Sequence, residues 1–290
     1  MQNSNRNALV TFIVVILVGL GMALAGSHRG ATVGGFPIFA LGVGLAFLFQ
    51  WLAFIPAYLR QTEKFYDLAG SVTYVTVTVL AVLLSPTVDN RSALLLALVV
   101  MWATRLGTFL FNRVLSSGGD DRFDEIKPSF LRFLNTWTLQ GLWVTFTLAA
   151  ALAAITTTER RELGLLALLG FLVWALGFAI EVLADAQKSQ FRADPANKGK
   201  FINTGLWAWS RHPNYFGEIV LWIGVALIAV PVLRGWQWLT LISPLFVALL
   251  ITRVSGVPML EKKADERWGG QEEYEAYKES TPVLIPRPRF

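Results

Sequence analysis

Between Glu181 and Glu218 the chain gathers more ionisable and hydrogen-bonding side chains than an apolar sequence carries without a use for them. Glu181, Asp185, Lys188 and Arg192 recur at i, i+4, i+7 and i+11, a spacing that puts all of them on one helical face. Two carboxylates followed by two cations read either as a ligand surface or as a snorkelling helix end with local ion pairs, and the depth of Glu181 favours the ligand surface. The run Gly205-Leu-Trp-Ala-Trp-Ser-Arg-His-Pro-Asn-Tyr-Phe-Gly-Glu218 follows. Pro213 sets a turn, and Asn214 is placed to cap the next helix. That helix turns its positive end towards an anion, with Arg211 and His212 beside it, Tyr215 next, and Glu218 one turn on from Asn214. Trp207 and Trp209 read as an interfacial aromatic belt. A capping motif alone is the plainer account, but it needs no such gathering of Arg, His, Asn, Tyr and Glu.

Other polar groups sit inside apolar runs. Arg105 lies in Met101-Trp-Ala-Thr-Arg-Leu-Gly107, ahead of Asn112-Arg113. A guanidinium there needs an acceptor, whether Glu181, a backbone carbonyl or a ligand phosphate. Asp67, Ser71 and Tyr74 share a face of another apolar helix, where a tyrosine can act as proton donor with a carboxylate in support. For the threonines nearby, hydrogen bonding between helices is the simpler reading. The charged tail, Pro258–Phe290, carries Tyr274 and Tyr277 on an amphipathic stretch that either lies on a membrane or folds back over the site. The chain has no Gly-x-Gly-x-x-Gly between a strand and a helix and no P-loop, so any nucleotide is held by helices and loops.

The elements that position these groups are membrane spans. The chain is 54% hydrophobic and 16% charged, against about 25% charged in an ordinary soluble domain. Apolar runs near the length of a bilayer span recur with polar breaks. They give eight segments, 8–25, 36–55, 70–86, 92–111, 137–155, 163–184, 217–232 and 237–254, the first an uncleaved span rather than a signal peptide. The expected fold is an all-α polytopic membrane helix bundle. Of the 25 Lys and Arg, 19 fall at the amino terminus, in the loops after even-numbered spans and in the tail; five fall on the other side, and Arg105 lies within a span. That asymmetry puts both termini and the long loops 112–136 and 185–216 in the cytoplasm. The net charge of +5 fits basic cytoplasmic loops first and an anionic ligand second. With no cysteine, disulfides, thiolate metal sites and a cysteine nucleophile are excluded, and two histidines cannot build a His-rich metal site. No metal and no nucleic-acid partner is expected.

The run 205–218, Asp185 with Arg192, and the closing Tyr277…Leu284-Ile-Pro resemble the C-terminal half of membrane steroid 5-alpha-reductases and sterol C14-reductases. In particular they resemble the bacterial branch described only as domain of unknown function 1295. The resemblance covers about residues 60–290 and is specific over 181–218, leaving 1–60 as amino-terminal spans before a 61–290 reductase-like membrane domain. Isoprenylcysteine carboxyl methyltransferases share the Arg-His-Pro-x-Tyr core. The resemblance implies a reductase of the bacterial inner membrane that binds NADPH on the cytoplasmic side and acts on a hydrophobic or lipid substrate among membrane lipids. It implies cofactor contacts at Asp185, Arg192, Asn214 and Glu218, with Arg211, His212 and Tyr215 fitting the sterol-reductase version and Asn112 or Arg113 a further contact. Lys188 joins them on charge. The catalytic pair is taken as Tyr74 and Asp67. The steroid enzymes use a glutamate on helix 2 and a tyrosine on helix 4; here Gln50-Trp51 and Val100-Met101-Trp102 stand there, so the cofactor half is kept and the substrate half changed. Two other readings stay open: an S-adenosylmethionine-dependent methyltransferase, and a non-catalytic lipid-binding protein.

Overall fold

The computed structural model describes residues 2–288, so Arg289, counted above with the basic tail, lies outside the described residues. Eight helices among these residues are long and apolar enough to cross a bilayer, as the hydropathy pattern requires. Strand structure among the described residues is confined to a short hairpin, β1 (Thr32–Val33) with β2 (Phe36–Pro37), and one bridge between Gly30 and Thr157. The helices outrun the apolar segments that announce them. The sixth, α6 (Leu165–Ala193), continues well past 184 because its charges fall on one stripe and interrupt no backbone hydrogen bond. At 1.5 Å per residue its 29 residues span roughly 44 Å, more than the ~30 Å hydrocarbon core, so its last turns belong to the headgroup region.

The chain divides into two compact units. In the first, residues 1–167 with 228–243, the axis is α5 (Phe130–Thr156). Its small residues, including the run Ala149-Ala-Ala-Leu-Ala-Ala154, let neighbouring helices close around it, and it is buried along most of its length, with its polar side chains turned inward as well. Around it pack α1 (Gln2–Ser27), α2 (Ile38–Leu59) and α3 (Tyr66–Leu84). Polar ties fix their register: Gln50 Nε2 donates to Thr73 Oγ1 at 2.7 Å, the Trp51 indole to Thr138 Oγ1 at 3.1 Å, and Gln140 Nε2 to the Tyr66 carbonyl at 3.1 Å. Two threonine hydroxyls of α3 also bond locally: Thr73 and Thr78 donate to the carbonyls of Ala69 and Tyr74, one turn back.

Against α3 lies α4 (Asn90–Ser117). Near its start Arg91, only 1% exposed, donates to the carbonyls of Ile228 at 2.5 Å and Glu162 at 2.9 Å. At the opposite end of α4, Glu63 in the α2–α3 connection accepts from the Asp120 amide at 3.0 Å and from Lys127 Nζ at 2.7 Å. That clasp ties the α2–α3 connection to the loop after α4, whose regular structure is the single 3₁₀ turn Asp121–Phe123.

The second unit, residues 168–227 with 244–290, is built on α6 and α7 (Pro213–Ala229). Their backbones nearly touch. A Cβ on Gly177 would lie 2.5 Å from the Leu221 amide nitrogen; one on Gly217 would lie 2.5 Å from the Gly177 carbonyl oxygen, and one on Gly224 2.5 Å from the Gly170 carbonyl oxygen. Glycines seven apart on each helix clear this approach. The eighth span is no single α-helix. A 3₁₀ stretch, Gly235–Ile242, leads into α8 (Ser243–Leu249), and a π-turn, Leu250–Val254, ends it. Beyond stand α9 (Val257–Trp268) and α10 (Glu272–Ser280).

Candidate functional site

The polar stripe of α6 forms as its spacing requires, graded by depth: Glu181 and Asp185 are 2% and 4% exposed, Lys188 is half-buried and Arg192 is exposed. The close approach of α7 brings Asn214 to it. Asn214 Nδ2 donates to Asp185 Oδ1 at 3.0 Å. This corrects the capping expectation: α7 begins at Pro213, so Asn214 is already inside the helix and its side chain bonds across to α6 rather than back to its own first turn.

The connection between the helices is locked from both sides. Gly205 has a φ of 60° and sits so close to Gln187 that a Cβ would lie 2.7 Å from its Oε1, which the Leu206 amide uses at 3.0 Å. Trp207 is 2% exposed and its indole donates to the Ala184 carbonyl at 3.0 Å, while Lys188 lies over its ring at 4.2 Å. The interfacial-belt reading fails for Trp207, whose N–H finds its acceptor inside the unit; Trp209, 38% exposed, is free to take that role. The tail folds back. The Arg211 amide donates to the Pro282 carbonyl and the Arg287 amide to the Trp209 carbonyl, each at 2.9 Å; Ser210 Oγ donates to the Leu284 carbonyl at 2.8 Å and the Tyr277 hydroxyl to the Trp207 carbonyl at 2.7 Å.

One residue that sequence reasoning missed completes the arrangement. The π-turn and Gly256 set the start of α9: a Cβ at Gly256 would lie 2.8 Å from the Ile251 carbonyl oxygen and 2.9 Å from the Tyr215 ring. From there α9 carries Glu261 to His212 and Arg211, its Oε1 lying 2.7 Å from His212 Nε2 and its Oε2 2.9 Å from Arg211 Nη1. Tyr215 stacks on the imidazole with ring centroids 5.7 Å apart. Burial pushes His212 below the ordinary histidine range; Glu261 pulls the other way and does not prevail. Glu261 stands amid Lys262, Lys263, Asp265 and Glu266, which makes it read as one more solvated charge. The signal available was its place one turn into the first helix after the Ser255-Gly256 break.

Three buried polar atoms of this run have no hydrogen-bond partner among the described residues: Arg211 Nε, His212 Nδ1 and Asn214 Oδ1. Three such atoms within four residues single this run out as the candidate ligand site. The set offers one cationic donor and two neutral acceptors. Glu218 and Tyr215 stand half-buried on the same turns of α7.

The remaining candidates belong to the first unit. Tyr74 packs edge-on against Trp102 with centroids 5.1 Å apart. Asp67 lies in the first turn of α3, two turns before Tyr74 and about 10 Å from it along the axis. Gln50 is fully buried and tied to Thr73. Asn112 and Arg105 line an open groove of about 670 Å³ on α4 with Val100, Met101, Thr104 and Thr108, and the Arg105 guanidinium lies over Phe109 at 5.2 Å.

These features define an integral membrane helix bundle in which a buried polar cluster sits where two spans meet their connecting loop and tail. Comparison with known proteins gives the family: residues 53–281 match the model of DUF1295, a protein family of unknown function, and the chain belongs to it, within the steroid-reductase-like superfamily. It is 30% identical over 120 residues to the rat 3-oxo-5-alpha-steroid 4-dehydrogenase 1, covering 41% of this chain and 40% of the relative. The mouse protein of the same name is 28% identical over 120 residues, 41% of each chain. A probable O-methyltransferase, ustE of Ustilaginoidea virens, is 33% identical over 66 residues, 23% of each. The match to the steroid dehydrogenases thus spans about two fifths of their length. No solved structure matches.

Proposed function

We propose that the protein is an NADPH-dependent reductase of a conjugated carbon–carbon double bond in a hydrophobic, lipid-like substrate. The observation that carries the reading is the trio of unpartnered buried atoms on Arg211, His212 and Asn214, with Lys188 acting on His212 and Arg192 one turn further along the α6 stripe. A dinucleotide phosphate suits the cationic donors, and its neutral N–H and O–H groups suit the two acceptors. When bound, NADPH supplies a hydride to the β-carbon of the conjugated system. Arg192, Lys188 and Arg211 would hold its phosphates; Asp185, oriented by Asn214, would hold a hydroxyl or amide donor, with Glu218 and Tyr215 as further contacts. Tyr74 is kept as the candidate proton donor, and Asp67, about 10 Å from it along α3, is too far to support it directly. The similarity to proteins named 3-oxo-5-alpha-steroid 4-dehydrogenase supports the reaction class. The changed substrate half, with Gln50 sealed against Thr73, argues for a substrate other than a 3-oxo steroid. The Lys and Arg asymmetry supports a site facing the cytoplasm.

The methyltransferase reading keeps one specific support, the O-methyltransferase match over 66 residues. S-Adenosylmethionine bears a sulfonium and no phosphate, and the cations at 188, 192 and 211 suit it less. Titration of the purified protein in detergent, read by tryptophan fluorescence, separates the readings. NADPH is expected to quench and S-adenosylmethionine to leave the signal unchanged, with Arg192→Ala and Asn214→Ala each weakening the NADPH response. Saturable binding of S-adenosylmethionine alone transfers the assignment to methylation, and binding of neither leaves a lipid-binding protein.

A further inference from the structure

We infer that Glu261 is a positioning residue that holds His212 in the Nε2–H tautomer, leaving Nδ1 as the acceptor for an N–H or O–H group of the bound ligand. The argument starts from the carboxylate. Glu261 Oε2 pairs with Arg211 Nη1 at 2.9 Å, which keeps the group ionised and therefore an acceptor only. Its Oε1 lies 2.7 Å from His212 Nε2, so that nitrogen must donate, and a neutral imidazole that donates from Nε2 carries its lone pair on Nδ1. Carboxylates that fix a histidine tautomer in this way are familiar from the outer shells of metal sites, where the imidazole's free nitrogen does the binding.

The surroundings keep the ring neutral. The charged groups that act on it are Glu261 from α9, Lys188 from α6 and the adjacent Arg211, and the two cations reinforce burial in opposing protonation. Asn214 obeys the same logic. Its amide nitrogen donates to Asp185, and Oδ1 is left as a second open acceptor. The ligand group that meets this pair therefore donates, while its anionic part goes to Arg211 Nε. A carboxamide, an amino-purine or a ribose hydroxyl meets the first demand. That the ligand is a dinucleotide rests on the function proposed above; the tautomer does not.

The chain has only two histidines, so ¹⁵N-histidine labelling gives two imidazoles, and a His28→Asn variant assigns them. Wild-type His212 is expected as the neutral Nε2–H tautomer across neutral pH. Glu261→Gln, nearly isosteric, is expected to yield mixed tautomers and to weaken NADPH binding roughly tenfold. Adding NADPH is expected to shift His212 Nδ1 and leave the Nε2 proton in place. An imidazolium or an Nδ1–H tautomer in the wild type overturns the inference, as does an unaltered Nε2–H tautomer in Glu261→Gln. A shift of Nδ1 by S-adenosylmethionine and not by NADPH upholds the assignment of Glu261 and His212 while removing the dinucleotide. If neither compound moves Nδ1, its role as ligand acceptor is refuted.

Discussion

The glycine approach between α6 and α7 makes a quantitative demand. Alanine at 217 would place its Cβ 2.5 Å from the Gly177 carbonyl oxygen and 2.7 Å from the Glu181 nitrogen, against about 3.4 Å for ordinary contact. Both obstacles are backbone, so no rotamer relieves them and the helices must separate by about 0.9 Å. Overpacking of this kind costs about 1–3 kcal/mol, offset in part by the ~1 kcal/mol helix preference of alanine over glycine. The net expectation for Gly217→Ala is a loss of up to about 2 kcal/mol, or a melting temperature up to ~8 °C lower. The same displacement carried to the Asn214–Asp185 bond lengthens it from 3.0 Å to about 3.9 Å, beyond hydrogen-bonding range. NADPH affinity should therefore fall about tenfold even where the variant remains folded. The control is Gly44→Ala, a helical glycine whose added Cβ meets nothing within 4 Å; it should melt at or slightly above the wild type and bind NADPH unchanged. Thermal unfolding in detergent and a fluorescence titration on the three proteins decide the matter. If Gly217→Ala melts with the wild type and binds as well, the backbone approach does not position the site and the reasoning is wrong.

Other consequences are simpler to test. Arg91→Met leaves the Ile228 and Glu162 carbonyls without their donor in a buried place, and should cost about 2–4 kcal/mol by chemical unfolding, with no change in ligand affinity. Burial pushes Glu63 up, but the hydrogen bonds from Lys127 and the Asp120 amide outweigh it, so its carboxyl lies below the ordinary range; burial pushes Lys127 down, and Glu63 with Asp124 hold it above the ordinary lysine range. The Glu63 contribution is thus complete above the ordinary carboxylate range and fades as pH falls through its lowered value. The Lys127 contribution is complete below the ordinary lysine range and fades as pH rises through its raised value. Limited proteolysis of the 118–127 loop should accordingly be flat through neutral pH, and faster at every neutral pH in Glu63→Gln, whose clasp is weaker by about 1–3 kcal/mol.

Several features were readable from residue types alone because a single physical rule governs them. The eight spans follow from hydropathy, and the stripe Glu181, Asp185, Lys188, Arg192 follows from helical periodicity. What the sequence withheld depends on partners distant along the chain. Trp207 has the composition of an interfacial residue, and only the carbonyl of Ala184 explains why it is buried. Glu261 lies 49 residues from His212 in a highly charged segment, where nothing local separates a site residue from a solvated one. The eighth span has the hydropathy of a straight helix, yet it breaks into 3₁₀, α and π geometry. Pro244, which has no N–H to give, sits in the first turn of α8, a place a helix tolerates.

The order in which the chain is made adds a constraint. His212 leaves the ribosome 49 residues ahead of Glu261, an interval of about 2–10 s at ordinary rates of translation. The main-chain contacts from Pro282 and Arg287 come later still. A nascent chain that has inserted seven spans therefore holds every residue of the Arg-His-Pro-Asn run but cannot yet hold the imidazole in register. An ordered His212 is therefore a late acquisition, and a ribosome that stalls before Glu261 leaves in the bilayer a product that cannot complete the ligand site proposed above.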